Sequence, residues 1–354
     1  MIAPIPIDGA IASADTCGVM LLHLLTGQPA SFDPLLLLLA ALLIDALIGG
    51  GRFLFGLIPH PVVVIGVTIG WLERKLNRPQ RPEGDRAVRG MLVAAFVIVS
   101  CAVVGLAISW LTLRFPYAAL LEGLLVTSLI AQRSLFDHVR AVSRALKTEG
   151  LEAGRAAVGH IVGRDVRLLD AHGVARAAVE SCAENYSDAV VAPSFWYVLF
   201  GFPGLLVYKA INTMDSMIGY RSSRYHAFGM AAARIDDAAN FLPARLAGVF
   251  LCLAAMFVPT ARPLAGVRTM LRDARKHRSP NAGWPEGAAA GALDLALAGP
   301  RTYTGSVVAD PWIGAGRARA TVKDIDRALY LYVVACLINA FVVAVLVAVR
   351  LTGT

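Results

Sequence analysis

The stretch MLVAAFVIVSCAVVGLAISWL, at residues 91–111, decides the fold class because it is a long run without a charged side chain. A helix that crosses a bilayer needs about 20 predominantly apolar residues, and this run meets that requirement. A second run, LYLYVVACLINAFVVAVLVAV at residues 329–349, meets it as well, and arginines flank both runs. The two runs predict membrane-spanning helices.

The composition of the whole chain agrees with a bilayer environment. Hydrophobic residues make up 57% and charged residues 16% of the 354 positions, whereas soluble domains average about 45–50% apolar and about 25% charged residues. The net charge of +8 is concentrated in loops, which indicates membrane topology rather than nucleic-acid binding. The five cysteines are scattered without a C-x-x-C pair, which favours small buried side chains over disulfides or zinc ligation.

Several further apolar runs are shorter or interrupted. Residues 190–208 are long enough to span, but the step Gly201-Phe202-Pro203-Gly204 would break a helix midway. Such segments cross at a tilt, or enter and return while packed against protein. The sequence therefore predicts an all-α polytopic integral membrane protein, with four to six membrane helices and with cytoplasmic amphipathic helices and loops. The remaining short runs are residues 34–48, 117–131 and 246–258.

Basic residues predict the orientation. No lysine or arginine precedes Arg52, whereas six lie in residues 74–89. The positive-inside rule then places the N-terminus in the periplasm and this loop in the cytoplasm of a bacterial inner membrane. The basic segments 209–234 and 268–278 both favour the cytoplasm, which requires residues 246–258 to enter and return. Otherwise one polar loop is outside.

The chain divides into two parts of very different length. Residues 1–33 carry no motif and are interpreted as a flexible N-terminal extension, and residues 34–354 as a single membrane-embedded domain. Within the domain, the basic segment 132–188 predicts two or three amphipathic helices, since its apolar residues keep helical spacing.

An acidic stripe is the first candidate site. Glu180, Glu184 and Asp188 are spaced four apart, so a helix would place three carboxylates on one face. Mg²⁺, bound through one or two carboxylates plus substrate phosphates, would relieve their repulsion. The alternative is a solvated stripe paired with arginines such as Arg176, although the stripe continues into a membrane segment where unpaired carboxylates are costly.

Two clusters combine acids, amides and arginines. In the first, Lys209, Asn212 and Ser216 share a helical face with Asp215 beside it, which suits phosphate or carboxylate binding. Interfacial snorkelling of the basic side chains is the alternative. The second cluster suits metal–phosphate chemistry and equally an ion-pair network; it comprises Arg234, Asp236, Asp237, Asn240 and Arg245.

Two weaker signals complete the candidates. The Gly/Pro-rich segment SPNAGWPE at residues 279–286 predicts a shaped loop that binds ligand through Asn281, Trp284 and Glu286, or merely a turn. His60 lies between two prolines, which fix its backbone, although a lone histidine is more often structural. No nucleotide-binding fingerprint of the G-x-x-x-x-G-K-[ST] or G-x-G-x-x-G kind is present, so any nucleotide would need a different site.

Taken together, these motifs resemble the CbiB/CobD family of adenosylcobinamide-phosphate synthases, from about residue 35 to the C-terminus. The densest match is Asn212-Thr213-Met214-Asp215-Ser216-Met217 with Gly219-Tyr220-Arg221. One departure is clear: where the family follows its first aspartate, here Asp45, with an acidic residue and proline, this chain has Gly49-Gly50-Gly51. Other matching motifs are His60-Pro61-Val62, Glu184-Asn185, Ala233-Arg234-Ile235-Asp236-Asp237 and Asn281-Ala282-Gly283-Trp284-Pro285-Glu286.

The resemblance implies an enzyme that joins a corrinoid carboxylate to an amine, with ATP as cosubstrate and Mg²⁺ as cofactor. The hypothetical catalytic residues are Glu184, Asp188, Lys209, Asp215, Asp236 and Asp237. The hypothetical metal ligands are Glu180, Glu184, Asp188, Asp215 and Asp236. The hypothetical substrate-binding residues are His60, Asn185, Asn212, Ser216, Arg221, Arg234, Asn240, Arg245, Asn281, Trp284 and Glu286.

Partners and rival functions follow from the same resemblance. The implied partners are adenosylcobyric acid, aminopropanol phosphate, ATP and the lipid bilayer, with other membrane enzymes of late cobalamin assembly and a second copy of the chain as further candidates; no nucleic acid is expected. One rival is a non-catalytic membrane sensor of the AmpE type, which would not need so many polar motifs. The other is a transporter, which would carry polar groups deep within its apolar runs.

Overall fold

The structure, a computed structural model, describes residues 33–49, 59–163, 165–220, 222–303, 306–308 and 310–352. It is helical with a few short strands, as the sequence predicts. The first helices are α1 (Pro34–Ile48), α2 (Pro61–Leu76), α3 (Glu83–Arg114), α4 (Ala118–Leu129), α5 (Gln132–Thr148), α6 (Leu151–Gly159) and α7 (Ala171–Tyr186). A π-helical turn (Ser187–Val191) leads to α8 (Ala192–Ile218), α9 (Met230–Ala239), α10 (Phe241–Ala254), α11 (Pro263–Asp273), α12 (Gly283–Leu293) and α13 (Val322–Thr352).

Short strands occupy the segment between α12 and α13. They form two antiparallel pairs, in which β1 (Leu297–Ala298) pairs with β4 (Trp312–Ile313) and β2 (Arg301–Tyr303) with β3 (Ser306–Val308). The predicted extension at residues 1–33 falls, except for Asp33, outside the described residues.

The two securely predicted membrane helices are confirmed as α3 and α13. On α3, Phe96, Val99 and Val103 are exposed, while Val93 and Val97 are buried against the protein. A broad exposed apolar face on a long helix is stable only where lipid covers it. Among the residues that the structure describes, four helical stretches are long and apolar enough to cross a membrane, or five with the bent pair α9–α10; the four are Glu83–Arg114, Ala118–Thr148, Ala171–Ile218 and Val322–Thr352.

The predicted interruption of α8 is present. Gly201 has φ 65° and ψ −155°, a conformation that favours glycine, and Pro203 follows inside the helix. Helix α3 crosses at this kink, where a Cβ on Gly105 would lie 2.6 Å from the Cα of Pro203. Small residues of this kind allow two membrane helices to approach closely.

The junction of α9 and α10 bears on the topology of residues 246–258. The two helices meet at Asn240 with a bend of 47°, the geometry of a broken span or of a re-entrant segment. Both alternatives left by the charge distribution are compatible with this bend.

Polar groups inside the apolar layers are paired with protein groups. Glu122, within the run 117–131, accepts a 2.8 Å hydrogen bond from the buried hydroxyl of Tyr197. Asp45 of α1 accepts hydrogen bonds from the backbone N–H groups of Gln132 and Arg133, at 2.6 and 3.3 Å. Asp45 thus caps the first turn of α5 and fixes its position relative to α1.

The segment predicted as a shaped loop is instead the beginning of a buried helix. Helix α12 begins at Gly283, and all its residues except Trp284 are buried. Its small residues let its backbone lie directly against α11, since a Cβ on Gly291 would be 2.3 Å from the carbonyl oxygen of Ala265. Gly/Ala density therefore reflects close helix packing here, and only residues 279–282 before the helix form a loop.

Candidate functional site

An acidic cavity of about 280 Å³ forms where the ends of three helices meet one loop. Glu184 comes from the end of α7, Asp188 from the π-helical turn and Asp215 from the last turn of α8. Helix α9 contributes one wall and the loop before α12 the other. The remaining polar lining comprises Asp236, Asp237, Asn240, Arg278, Ser279 and Asn281. The structure thus brings together residues from all the polar motifs in the second half of the chain.

Two of the three carboxylates in the predicted stripe reach the cavity. Glu184 and Asp188 line the cavity, but Glu180 does not. The Glu180 carboxylate accepts a 2.7 Å hydrogen bond from the backbone N–H of Ala298 and lies 3.8 Å from Arg176. Glu180 therefore ties α7 to β1, and its prediction as a ligand of the same metal is not supported. A π-helical turn is a frequent feature of functional sites because it re-aims side chains.

Within this cavity, the carboxylate of Asp236 has one oxygen without a hydrogen-bond partner among the described residues. Its Oδ2 accepts a 3.0 Å hydrogen bond from Asn240 Nδ2, and Asn240 Oδ1 in turn accepts from the buried Tyr208 hydroxyl at 2.9 Å. Its Oδ1 is buried and has no hydrogen-bond partner among the described residues. A buried carboxylate oxygen in that state calls for a cation or a donor from a ligand.

Charges in and beside the cavity are close enough to act on one another. Asp188 feels the charges of Asp236, Glu184 and Lys209, and Asp236 feels that of Asp215. Lys209, on α8, is a cation whose charge acts on both Asp188 and Asp236, although it does not line the cavity. The cavity carries more negative charge than this lysine balances, which favours binding of a further cation.

A preformed metal site is not built from protein ligands alone. In the described part of the chain, no group of three or more His, Cys, Asp or Glu side chains is placed to hold a metal ion. Mg²⁺ commonly binds through one or two carboxylates with water and substrate phosphates completing its shell. The unpartnered Oδ1 of Asp236, with Asp188 nearby, fits that mode. The cavity therefore suits a metal ion that arrives with a phosphorylated ligand.

The loop beside the cavity is held by a stacked arginine. Arg245 lies between two rings, its guanidinium carbon 3.6 Å from the centroid of Phe241 and 4.5 Å from that of Trp284. Asn281 donates to the Asp237 carbonyl oxygen at 2.8 Å and accepts from Arg245 at 3.4 Å. Arg245 and Trp284 therefore position the loop and do not line the cavity.

Other predicted residues lie at varying distances from the cavity. Asn212 lies beside the side chain of Asp236, whereas Asn185 donates to Ser181 within α7. The largely exposed Arg234 lies 3.9 Å from Asp237. The remaining predicted residues are Ser216, exposed on α8, Glu286, buried 3.6 Å from His277, and Arg221, which lies outside the described residues.

A second cavity, of about 550 Å³, was not predicted from the sequence. We call it the basic cavity; its polar lining is His60, Ser128, Arg133, Ser134, Asp137, His138 and Lys209. The feature of the sequence that could have indicated this cavity is the polar face of α5. The sequence pattern alone does not distinguish such a face from one that is covered by solvent. Lys209 lies in its wall, so the charge of this lysine reaches both cavities.

His60 lines the basic cavity with both ring nitrogens engaged by backbone groups. Its Nδ1 accepts from the N–H of Val62 at 3.2 Å, and its Nε2 lies 3.1 Å from the carbonyl oxygen of Ser128. Burial lowers the pKa of His60 below its ordinary value of 6.5, and the nearby charge of Lys209 lowers it further, against the opposing effect of Ser128. A neutral ring that donates through Nε2 satisfies both contacts, which is a structural role joining α2 to α4.

Comparison with known proteins extends over most of the chain. A family model described as CobD/Cbib protein matches residues 38–332. A cobalamin biosynthesis protein CobD from Sinorhizobium sp is 48% identical over 315 residues, covering 88% of this chain and 98% of the relative. The protein of the same name from Rhodobacter capsulatus is 48% identical over 297 residues, covering 84% and 92%. No solved structure matches.

Proposed function

The chain belongs to the CobD/CbiB family of cobalamin biosynthesis proteins, and from that premise we propose that it is an ATP-dependent ligase acting on a corrinoid. The reaction joins the free propionate carboxylate of adenosylcobyric acid to the amine of (R)-1-aminopropan-2-yl phosphate, or of aminopropanol. With the phosphorylated amine the products are adenosylcobinamide phosphate, ADP and phosphate.

The observation that carries the proposal is the acidic cavity with Lys209 beside it. An unpartnered carboxylate oxygen of Asp236 within a group of acids is costly in the absence of a ligand. Binding of a cation–phosphate complex would relieve that cost, which is what a site for Mg²⁺ and ATP requires. A membrane sensor without a phosphorylated ligand gives no reason for such a cavity.

The ligation has two steps, and in each of them one bond forms and one bond breaks. In the first, the γ-phosphoryl group of ATP is transferred to a carboxylate oxygen of the corrinoid, which forms an acyl phosphate and releases ADP. In the second, the amine nitrogen attacks the acyl carbon, the C–N bond forms, and the C–O bond to phosphate breaks as phosphate leaves with its electron pair. The attacking amine gives up a proton, for which the cavity carboxylates are acceptors within the same site.

We assign the residues of the site to three roles: binding of the metal ion, stabilisation of phosphate charge, and positioning of the other side chains. Asp236 and Asp188 would hold Mg²⁺ together with substrate phosphates, with Glu184 and Asp215 beside them in the same cavity, and the bound ion would neutralise phosphate charge. Lys209 would stabilise negative charge on the transferred phosphoryl group. Asn240 and Asn281 would keep the carboxylates and the loop in place, as their hydrogen bonds do now.

The site is proposed to face the cytoplasm of a bacterial inner membrane, where ATP is available. Part of the polar cavity lies at a helix end, since Asp215 is in the last turn of the stretch Ala171–Ile218 and the loop at residues 279–282 lines the cavity beside it. That placement suits an enzyme at the membrane surface better than a transporter with a midplane site.

The test is a ligation assay on purified protein in detergent. The protein is incubated with adenosylcobyric acid, aminopropanol phosphate, ATP and Mg²⁺, and the corrinoid is followed by mass spectrometry. The expected result is an ATP-dependent product heavier by one amide-linked aminopropanol phosphate. Asp236→Asn should reduce the rate by at least about 100-fold, while Glu152→Gln, an exposed acid on α6, should retain it.

An unchanged corrinoid from folded wild-type protein, with either amine offered, would contradict the ligase and favour the sensor. A product formed at the wild-type rate by Asp236→Asn would leave the ligase standing and remove the acidic cavity from its mechanism.

A further inference from the structure

The basic cavity has the character of an anion site. Its wall contains two cations, Arg133 and Lys209, and one carboxylate, Asp137. Arg133 Nε donates to Asp137 at 3.2 Å. Within the described residues its terminal nitrogens make no hydrogen bond, so the outer edge of the guanidinium is available for a two-pronged contact with an oxyanion.

Lys209 gives independent support. It is half-buried, and among the described residues its ammonium group makes neither an ion pair nor a hydrogen bond. A partly buried ammonium without a direct partner is costly, and an anion in the cavity it lines would remove that cost. Its charge also reaches Asp188 and Asp236 of the acidic cavity. Lys209 is therefore placed between two sites of opposite character.

Arg133 is held firmly enough to form part of a built site. Asp45 caps the first turn of α5 through the backbone N–H groups of Gln132 and Arg133. Gln132 in addition donates from its side chain to the carbonyl oxygen of Leu42 at 2.8 Å, both residues being buried. These contacts fix the helix start from which the Arg133 side chain extends along the cavity wall.

We propose that the basic cavity binds a small phosphate monoester, with its phosphate on Arg133 and Lys209. The hydroxyl of Ser134 lines the same space and can donate to a phosphate oxygen, whereas the hydroxyl of Ser128 already donates to the carbonyl oxygen of Leu125 at 2.8 Å. A volume of about 550 Å³ suits a small ligand and excludes a corrinoid macrocycle. Asp137 adds a carboxylate that would attract an ammonium group carried by the same ligand.

The proposal gives each cavity one substrate of the ligation. The acidic cavity takes the metal ion and the phosphates of the nucleotide, and the basic cavity takes the phosphorylated amine. Lys209 lies in the wall of the basic cavity, and its charge also acts on Asp188 and Asp236. Only the identity of the monoester as the amine substrate rests on the proposed function. The existence of a phosphate site on Arg133 does not depend on it.

The experiment measures binding without turnover. Aminopropanol phosphate is titrated calorimetrically into detergent-purified protein in the absence of ATP and corrinoid, with non-phosphorylated aminopropanol and inorganic phosphate as comparison ligands. Arg133→Gln should weaken aminopropanol phosphate binding roughly 10- to 100-fold, since it removes charge-assisted hydrogen bonds. Arg133→Lys, which keeps the charge, should lose less, and Arg144→Gln, an exposed arginine on the same helix, should not change binding.

Two further measurements separate the alternatives. Mg²⁺–ATP binding should be the same in wild type and Arg133→Gln, which also shows that the variant is folded. The protein is then placed in nanodiscs of neutral phosphatidylcholine, with and without phosphatidic acid, because a lipid headgroup offers the same phosphate chemistry. Competition by phosphatidic acid should be weak if the natural ligand is soluble.

The outcomes are distinct for the two proposals. If Arg133-dependent binding is found but no ligation occurs, the phosphate site stands and the proposed function fails. If ligation occurs and Arg133→Gln leaves both the affinity and the KM for aminopropanol phosphate unchanged, the phosphate site is refuted. Arg133-dependent binding of phosphatidic acid without binding of the soluble monoester would also refute it.

Discussion

Replacing Asp236 by asparagine is expected to make the ligand-free protein more stable while it removes activity. In the wild type, Asp236 Oδ2 accepts from Asn240, but the buried Oδ1 has no hydrogen-bond partner among the described residues. The neighbouring Asp215 and Asp188 add repulsion. An amide of the same shape keeps the acceptor for Asn240, places a donor in the orphaned position and removes one negative charge.

The size of the expected stabilisation follows from the cost of the unsatisfied oxygen. Leaving a buried polar group unsatisfied costs about 1–3 kcal/mol, and more for a charged group. Relief of this cost should raise the free energy of unfolding of Asp236→Asn by a similar amount. The entropy of unfolding is about 2.1 cal/mol/K per residue, so a chain of 354 residues shifts by about 1.3 °C per kcal/mol, and the apparent Tm should rise by about 1–4 °C.

The assay is thermal unfolding in detergent, measured with and without Mg²⁺–ATP, beside the ligation rate. Mg²⁺–ATP should stabilise the wild type and have much less effect on Asp236→Asn. Glu152→Gln, at an exposed ion pair worth about 0–1 kcal/mol, is the control for removal of a carboxylate. A ligand-free Asp236→Asn protein that is less stable than the wild type would refute the reasoning, because the carboxylate would then be satisfied in the native state.

Three other sites test the helix packing, an ion-pair network and the neutral histidine. Gly105→Leu should destabilise the detergent-solubilised protein by about 1–3 kcal/mol, because its side chain would collide with the kink at Pro203; differential scanning fluorimetry measures this, and an unchanged Tm would contradict the crossing. Asp273→Asn should lower the free energy of unfolding by about 1–3 kcal/mol, because Arg272 and the Gly314 N–H bind that buried carboxylate and keep its pKa well below 3.8. The stabilisation by the carboxylate should persist down to about pH 4 and be lost only below it, which measurement of Tm against pH checks. The lowered pKa of His60 means that the unfolded chain binds its proton more readily, so stability should fall as pH drops below about 6.5; His60→Gln should flatten that part of the Tm profile, and an identical profile would show that the ring is not held neutral.

The sequence was sufficient for the helical layers because each is encoded locally. Uncharged runs such as residues 91–111 are long enough to span, and the Gly201–Pro203 step marks the kink without reference to any neighbour. That Glu184, Asp188, Asp215 and Asp236 lie together was a hypothesis implied by the family resemblance and not by the spacing of the motifs, and all four line one cavity.

What the sequence could not provide was the long-range geometry. Glu180 and Glu184 lie one turn apart on the same regular helix, yet only Glu184 lines the cavity, and the spacing of the residues does not distinguish the two. The basic cavity needs Arg133 of α5 beside Lys209 of α8, which only helix packing brings together. Likewise, the Gly/Pro-rich segment at residues 279–286 suggested a loop, whereas tertiary contacts make its second half the beginning of a buried helix.

The contact between α11 and α12 has a consequence for which substitutions the protein tolerates. Gly283, Gly287 and Gly291 recur every four residues, and a Cβ on the first and last would lie 2.1 and 2.3 Å from backbone oxygens of the neighbouring segment. A saturation library should therefore show a period-four pattern of intolerance along α12, in which even alanine is depleted. On the lipid-covered face of α3, by contrast, any apolar residue should survive at Phe96 and Val103. Selection on this chain would then be strictest at residues that have no side chain at all.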